Sequence, residues 1–234
     1  MSLAVIGGTG METGAGEATI QEVATPFGPV LLSRREELFF LGRHGSEHRL
    51  PPHKINYRAN IWALKKAGVE AVIATFAVGS LKKSLDVGSL VVVDDFLDFT
   101  TARPKTFFDR EVRHTDMTRP YAPRVREAIL AAGKALGIAL IDGGCYVATD
   151  GPRYETPAEV RMFAALGGDV VGMTGLPEAV LAKELGLDYG ALAMVTNLGA
   201  GLGGELSHAE VTLQVAQSKR KVDMLLQASL QRLL

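Results

Sequence analysis

Short β-rich apolar runs alternate with longer helical ones almost to the end of this 234-residue chain. That alternation constrains the fold more than any single motif. Residues 3–6 read as a strand entering the glycine-rich run GGTG at 7–10, and β-like runs follow at 30–32 and 38–41. Residues 71–75 and 90–93 are continuously apolar, the pattern of strands covered on both faces. Further apolar runs stand at 139–141, 170–173 and 189–196. Between them lie helical patterns. NYRANIWALKKA (56–67) places Ile61, Leu64 and Ala67 on one side, with Gly68 closing it. Others are expected at 123–136, from 157, at 177–185, and from a Ser207/Glu210 capping box towards Leu234. This order predicts an α/β fold, a three-layer sandwich with a mixed, largely parallel central sheet flanked by helices. No repeat, low-complexity tract or linker breaks it, so one domain over 1–234 is expected.

Composition removes several classes of function. A hydrophobic content of 47% and a charged content of 22% are ordinary for a globular protein. A formal net charge of −1 argues against a broad nucleic-acid footprint. No run approaches the roughly 18 apolar residues of a membrane span, and the first residues, MSLAVIGG, lack the basic stretch of a signal peptide. The lone Cys145 excludes an intrachain disulfide and suits a reducing cytoplasm. With no adjacent base it reads as an inert thiol.

Four stretches carry chemistry. GGTGMETG (7–14) lacks the third glycine of a dinucleotide fingerprint, and no helical pattern follows it. Its backbone N–H groups and the Thr9 hydroxyl can hold a lone phosphate, or it is a plain tight turn. GRHGSEHRLPPH (42–53) gathers Arg43, His44, His48, Arg49 and His53. Pro51 and Pro52 forbid a helix there, and nothing completes a metal site. An anion clamp by Arg43 and His44 and a charged surface loop both remain open. VVGMTGLPEAVLAKELG (170–186) puts Thr174 on a strand-to-helix turn, where free amides and the helix dipole favour an anion, and Asn197 takes the matching place after residues 189–196. In GPRYETPAE (151–159), Thr156 and Glu159 form a capping box, with Pro157 at the first helical position. Glu155 is left over beside Tyr154. It is either a solvated turn residue or a functional carboxylate, and the nearby helix N-terminus favours its ionised form.

These blocks, in this order, resemble the trimeric purine nucleoside phosphorylases, the group that includes the methylthioadenosine phosphorylases. The resemblance runs from GGTG through GRHG (42–45), PPHKINYRANIWALK (51–65), FAVGSL (76–81), GPRYETPAE and GMTGLPEAVLAKELG to the final helix. It implies the nucleoside phosphorylase fold and cleavage of a purine nucleoside by inorganic phosphate, giving free base and ribose 1-phosphate in purine salvage. Phosphate is then a co-substrate, with no further cofactor, metal, nucleic acid or membrane partner. By this resemblance phosphate is held by Thr9, Arg43, His44, the Ala77 backbone and Thr174. Met173 lies against the ribose, Tyr154 stacks near the base, and Val78 and Gly79 form another wall. Asn197, Glu155 and His44 carry the catalytic roles.

The base and the 5′ end follow from residue types placed by the resemblance. An ionised Glu155 accepts hydrogen bonds and suits the N1–H of a 6-oxopurine, whereas adenine presents an N1 acceptor. Asn197 complements it, its NH₂ towards O6 and its carbonyl towards N7–H. The adenine-specific branch has a small hydroxyl residue and an aspartate at these places, so the sequence reads as an inosine/guanosine site. His208 falls where inosine/guanosine phosphorylases bond the ribose 5′-hydroxyl, although much of the chain is closer to the methylthio branch. A 5′-methylthioinosine or methylthioadenosine phosphorylase is the rival. His114 is expected in the same pocket across the subunit boundary of a homotrimer or dimer of trimers.

Overall fold

A computed structural model describes residues 1–8, 18–45, 49–204 and 207–234, with the His208 side chain left out. The glycine-rich loop with Thr9, and His48, fall outside the described residues.

The chain opens with β1 (Ser2–Gly7), β2 (Thr19–Val23), β3 (Val30–Arg35) and β4 (Leu38–Gly42). No helix occurs in residues 18–45. A short 3-10 turn (Pro52–Lys54) leads to α1 (Tyr57–Lys66), capped by the Asn56 side chain accepting from Ala59 N–H. Then come β5 (Val69–Ser80), β6 (Leu90–Val92), β7 (Asp95–Asp98), α2 (Pro123–Leu136), β8 (Ile141–Asp142) and β9 (Cys145–Ala148). The chain continues with α3 (Pro157–Ala165), β10 (Val170–Gly172), α4 (Glu178–Glu184), β11 (Asp188–Leu198) and α5 (His208–Leu233). The capping box of Thr156 and Glu159 opens α3 as expected, and Ser207 caps α5 by accepting from Glu210 N–H.

All eleven strands join one mixed sheet, and six of its ten pairings are parallel. Strand alternation divides the core in two. Ala4, Ile6, Val72, Ala74, Ala191 and Ala193 face α1 and α4, while Leu3, Val5, Ala71, Ile73, Leu192 and Met194 face α2 and α5. The helix positions match: Val125, Ala128, Ile129 and Ala132 of α2 are buried at helical spacing. This is the three-layer sandwich the alternation predicts.

One feature of β5 positions everything that follows. Along one edge it pairs with β11 from Ala71 to Ser80. Along the other it pairs first with β1, as far as Ala74, and then antiparallel with β10 at Gly79 and Ser80. Between those partners, β11 is the one described strand that pairs with Thr75–Val78, and the sheet opens.

The α2 layer sits close on β11 because residue 190 is glycine. A Cβ there would stand 2.5 Å from Val125 Cγ1 and 2.9 Å from its Cβ. The helix cannot retreat easily, since Ala122 N–H donates to the Tyr189 carbonyl at 2.8 Å, and a β-branched valine has little rotamer freedom. Gly190→Ala is expected to destabilise the fold by about 1–3 kcal/mol, read from the midpoint of urea unfolding.

Candidate active site

The opening beside β5 is a cavity of about 300 Å³. Ten of the residues named from sequence line it: Arg43, His44, Ala77, Val78, Gly79, Tyr154, Glu155, Met173, Thr174 and Asn197. They come from the β4 end, the open stretch of β5, the segment before α3, the β10–α4 turn and the end of β11. The cavity therefore lies outside the carboxyl ends of β4, β10 and β11, where open α/β sheets place their ligands.

At one end the chemistry is cationic but compensated. Arg43 is 1% exposed and Glu178, in the first turn of α4, is fully buried. The guanidinium meets that carboxylate in a two-pronged pair, Nε to Oε2 and Nη2 to Oε1, both at 2.8 Å. Nη1 donates to the Thr75 carbonyl at 3.1 Å, in the stretch of β5 left without a second strand. The Tyr189 hydroxyl also donates to Glu178 Oε1, at 2.7 Å. Burial alone pulls the Arg43 pKa down; the charge and hydrogen bonds of Glu178 more than reverse this, so the guanidinium stays ionised. Among the described residues, three of its five N–H donors are thus committed and two are not. Gly8 is part of this fit, because a Cβ there would approach Arg43 Nη1 to 2.8 Å. His44 is buried, its Nδ1 2.8 Å from the Leu50 carbonyl, which places the ring proton on Nδ1.

The β10–α4 turn differs from expectation. The amides of Thr174 and Gly175, anticipated as free donors for an anion, both donate to the buried Tyr146 hydroxyl, at 3.2 and 3.1 Å. Thr174 nevertheless lines the cavity.

A carboxylate also lines the cavity. Glu155 is part-buried rather than a solvated turn residue, and Thr149 Oγ1 donates to its Oε1 at 2.8 Å. Burial raises its pKa above the ordinary glutamate value, against the pull of the Thr149 hydroxyl and its own backbone N–H. The helix dipole is therefore not the controlling influence; desolvation is. Capping falls to Glu159, held down to about 2 by Arg153 and by the Thr156 amide.

Asn197 reaches the cavity through an irregularity in β11. Val195 pairs with Val78 and Asn197 with Gly79, so Thr196 is an extra residue in the ladder. The bulge brings two consecutive side chains, Thr196 and Asn197, to the cavity, where a regular strand would present only one. Asn197 Nδ2 donates to the Leu198 carbonyl at 3.0 Å, and that obligatory acceptor fixes which way the amide points. Its Oδ1 lies 3.0 Å from the Thr196 hydroxyl, whose one proton it shares with the Val78 carbonyl at 3.2 Å. One N–H and one lone pair remain for a ligand.

The remaining candidates lie elsewhere. His114 is exposed in residues 99–122 and does not line the cavity. His208 begins α5, and Val211 of the same helix lines the cavity. Cys145 is half-buried, and burial pushes its thiol up to about 11, away from nucleophilic use. Among the described residues no group of three or more His, Cys, Asp or Glu is placed to hold a metal. Sequence reading missed Glu178, Tyr146, Thr149 and Thr196. Only Glu178 left a signal, as the lone charge in the otherwise apolar run GLPEAVLA.

The profile of the phosphorylase superfamily matches residues 2–231. The chain belongs to this superfamily. A 6-oxopurine nucleoside phosphorylase of Pyrococcus furiosus is 47% identical over 231 residues, covering 93% of this chain and 87% of that protein. A probable S-methyl-5′-thioinosine phosphorylase of Methanopyrus kandleri is 48% identical over 203 residues, 85% of this chain and 79% of that one. Among solved structures, the methylthioadenosine phosphorylase of Schistosoma mansoni with adenine superposes with a TM-score of 0.92 at 31% identity, covering 97% of this chain and 90% of that one. The superfamily's architecture is thus the one into which β5 opens.

The buried pair at its centre carries a stability prediction. Removing one partner of such a pair leaves an uncompensated charge in the interior, at a cost of about 3–5 kcal/mol. Glu178→Ala is expected to lose that amount in urea unfolding, well beyond the effect of truncating an exposed glutamate.

Proposed function

We propose that the cavity catalyses phosphorolysis of 6-oxopurine nucleosides, inosine and guanosine, to free base and ribose 1-phosphate. The observation that supports this reading is a single cavity lined both by Glu155 and Asn197 and by Arg43, His44 and Thr174. Both curated names among the relatives fit a 6-oxopurine base, in P. furiosus with an unmodified nucleoside and in M. kandleri with a methylthio one.

The chemistry follows from the two ends. Phosphate, held by the two uncommitted Arg43 N–H groups, by His44 and Thr174, and by Thr9 and the Ala77 amide, attacks C1′ of the ribose. The C1′–N9 bond breaks as the C1′–O bond to phosphate forms, its electron pair leaves with the purine, and the base takes up a proton at N7 from solvent, matching the one the attacking hydrogen phosphate gives up. The sugar passes through an oxocarbenium-like state that the phosphate dianion opposes. Negative charge grows on the base, and a hydrogen bond from the remaining Asn197 N–H to O6, with its carbonyl at N7–H, stabilises the transition state more than the ground state. Glu155 accepts from N1–H. The enzyme works in the cytoplasm as a homotrimer or dimer of trimers, with His114 completing a neighbouring pocket. Val112, two residues away and 91% exposed, supports a subunit contact for this segment. Neither metal nor organic cofactor takes part.

Base release from inosine, guanosine, adenosine and the two methylthio analogues, with and without phosphate, tests the proposal. Release is expected only with phosphate, and inosine is expected to exceed adenosine by about 10⁴–10⁵ in kcat/KM, because the wrong edge leaves buried groups unpaired. Asn197→Asp erodes that gap. Comparable wild-type turnover of adenosine and inosine would sink the assignment.

The 5′ end is tested separately. Inosine is expected to outperform 5′-methylthioinosine, and His208→Ala to narrow or reverse that order. A strong wild-type preference for the methylthio substrate transfers the site to the rival reading.

A further inference from the structure

We infer that Thr149 is a specificity-determining residue, its hydroxyl holding the Glu155 carboxylate as an acceptor and so excluding adenine; this rests on the base-site reading above. Thr149 follows β9 and is pinned on both sides. Its N–H donates to the Gly172 carbonyl of β10 at 3.0 Å, and its own carbonyl accepts from Arg103 Nη2 at 3.2 Å. Arg103 is itself buried and also grips the carbonyls of Asp150, at 2.8 Å, and Leu176, at 2.6 Å. With its backbone fixed and a stiff β-branched side chain, Thr149 presents its hydroxyl to Glu155 Oε1 in a set direction, at 2.8 Å.

The surroundings give that single bond weight. The charged groups acting on Glu155 are Glu159, which raises its pKa, and Arg153, which lowers it. Those two are also bonded to each other, at 2.7 Å, and Tyr154 lies alongside Glu155. In the segment after β9, Asp150 is turned to Arg103, at 3.4 Å, and from β11 the facing residues, Thr196 and Asn197, carry no charge. Burial already pushes the Glu155 carboxyl up, and the Thr149 hydroxyl is the largest opposing influence. Without it the carboxyl protonates at higher pH, becomes a donor, and meets the N1 acceptor of adenine instead of repelling it.

The test measures kcat/KM for inosine and adenosine, with phosphate, across pH in wild type, Thr149→Val and Thr149→Ser. For inosine, activity needs ionised Glu155 and falls as pH drops through its pKa. In Thr149→Val this acid limb is expected to move to higher pH, with activity on that limb lower by roughly tenfold, the size of one lost hydrogen bond to a charged group. Inosine activity recovers at higher pH, the inosine-to-adenosine ratio shrinks along the same limb, and Thr149→Ser keeps the wild-type profile. Thr149→Ala removes the hydroxyl equally and supplies the reading if the valine variant melts early. An unmoved acid limb, or a uniform loss at every pH that serine does not restore, overturns the role of Thr149 while leaving the base-site reading standing. Wild-type indifference between inosine and adenosine overturns both.

Discussion

The whole site depends on β5 having two partners on one edge with an interval between them. A strand interior normally spends both backbone edges on neighbours. Here β1 stops at Ala74 and β10 starts at Gly79, so among the described strands the intervening residues pair with β11 alone. Open backbone inside a sheet must find polar partners. Part of the demand is met by Arg43 on the Thr75 carbonyl; the rest faces the cavity, where a polar ligand belongs.

The Arg43–Glu178 pair closes the back of that interval. It joins the end of β4 to the start of α4, with Tyr189 of β11 as a third member. A buried pair of this kind is weak evidence for net stability, because desolvation offsets most of the attraction. Its value lies in direction. The carboxylate fixes one side of the guanidinium and leaves the remaining donors aimed elsewhere. The Arg43 guanidinium also lies 5.1 Å from the centre of the Phe76 ring, which favours the cation further.

Legibility in the sequence followed local punctuation. The α2 helix was readable end to end because Pro123 opens it and Gly137, in the left-handed conformation at φ 64°, closes it. The β7 strand, DFLD, and β2, TIQEV, were not readable, since charged residues break their apolar pattern. The β5 strand was read five residues short at its C-terminal end because Phe76–Ser80 includes a glycine and a serine, which signal a strand end. Most cavity residues came from the resemblance of whole blocks. What stayed hidden depended on tertiary fit: Thr149 finds Glu155 six residues on only through the turn between them, and no composition marks Thr196 as a bulge.

The segments that meet at the cavity are far apart along the chain. Arg43 and Glu178 are separated by 135 residues, and Thr196 Oγ1 reaches the Val78 carbonyl across 118. Such separations mean high contact order: loop-closure entropy opposes each contact before it forms. A fragment that lacks either partner of such a contact cannot form it. Any ligand that bridges the two ends favours only the completed fold, so occupancy of the cavity acts by mass action as a clamp on the folding of the entire molecule.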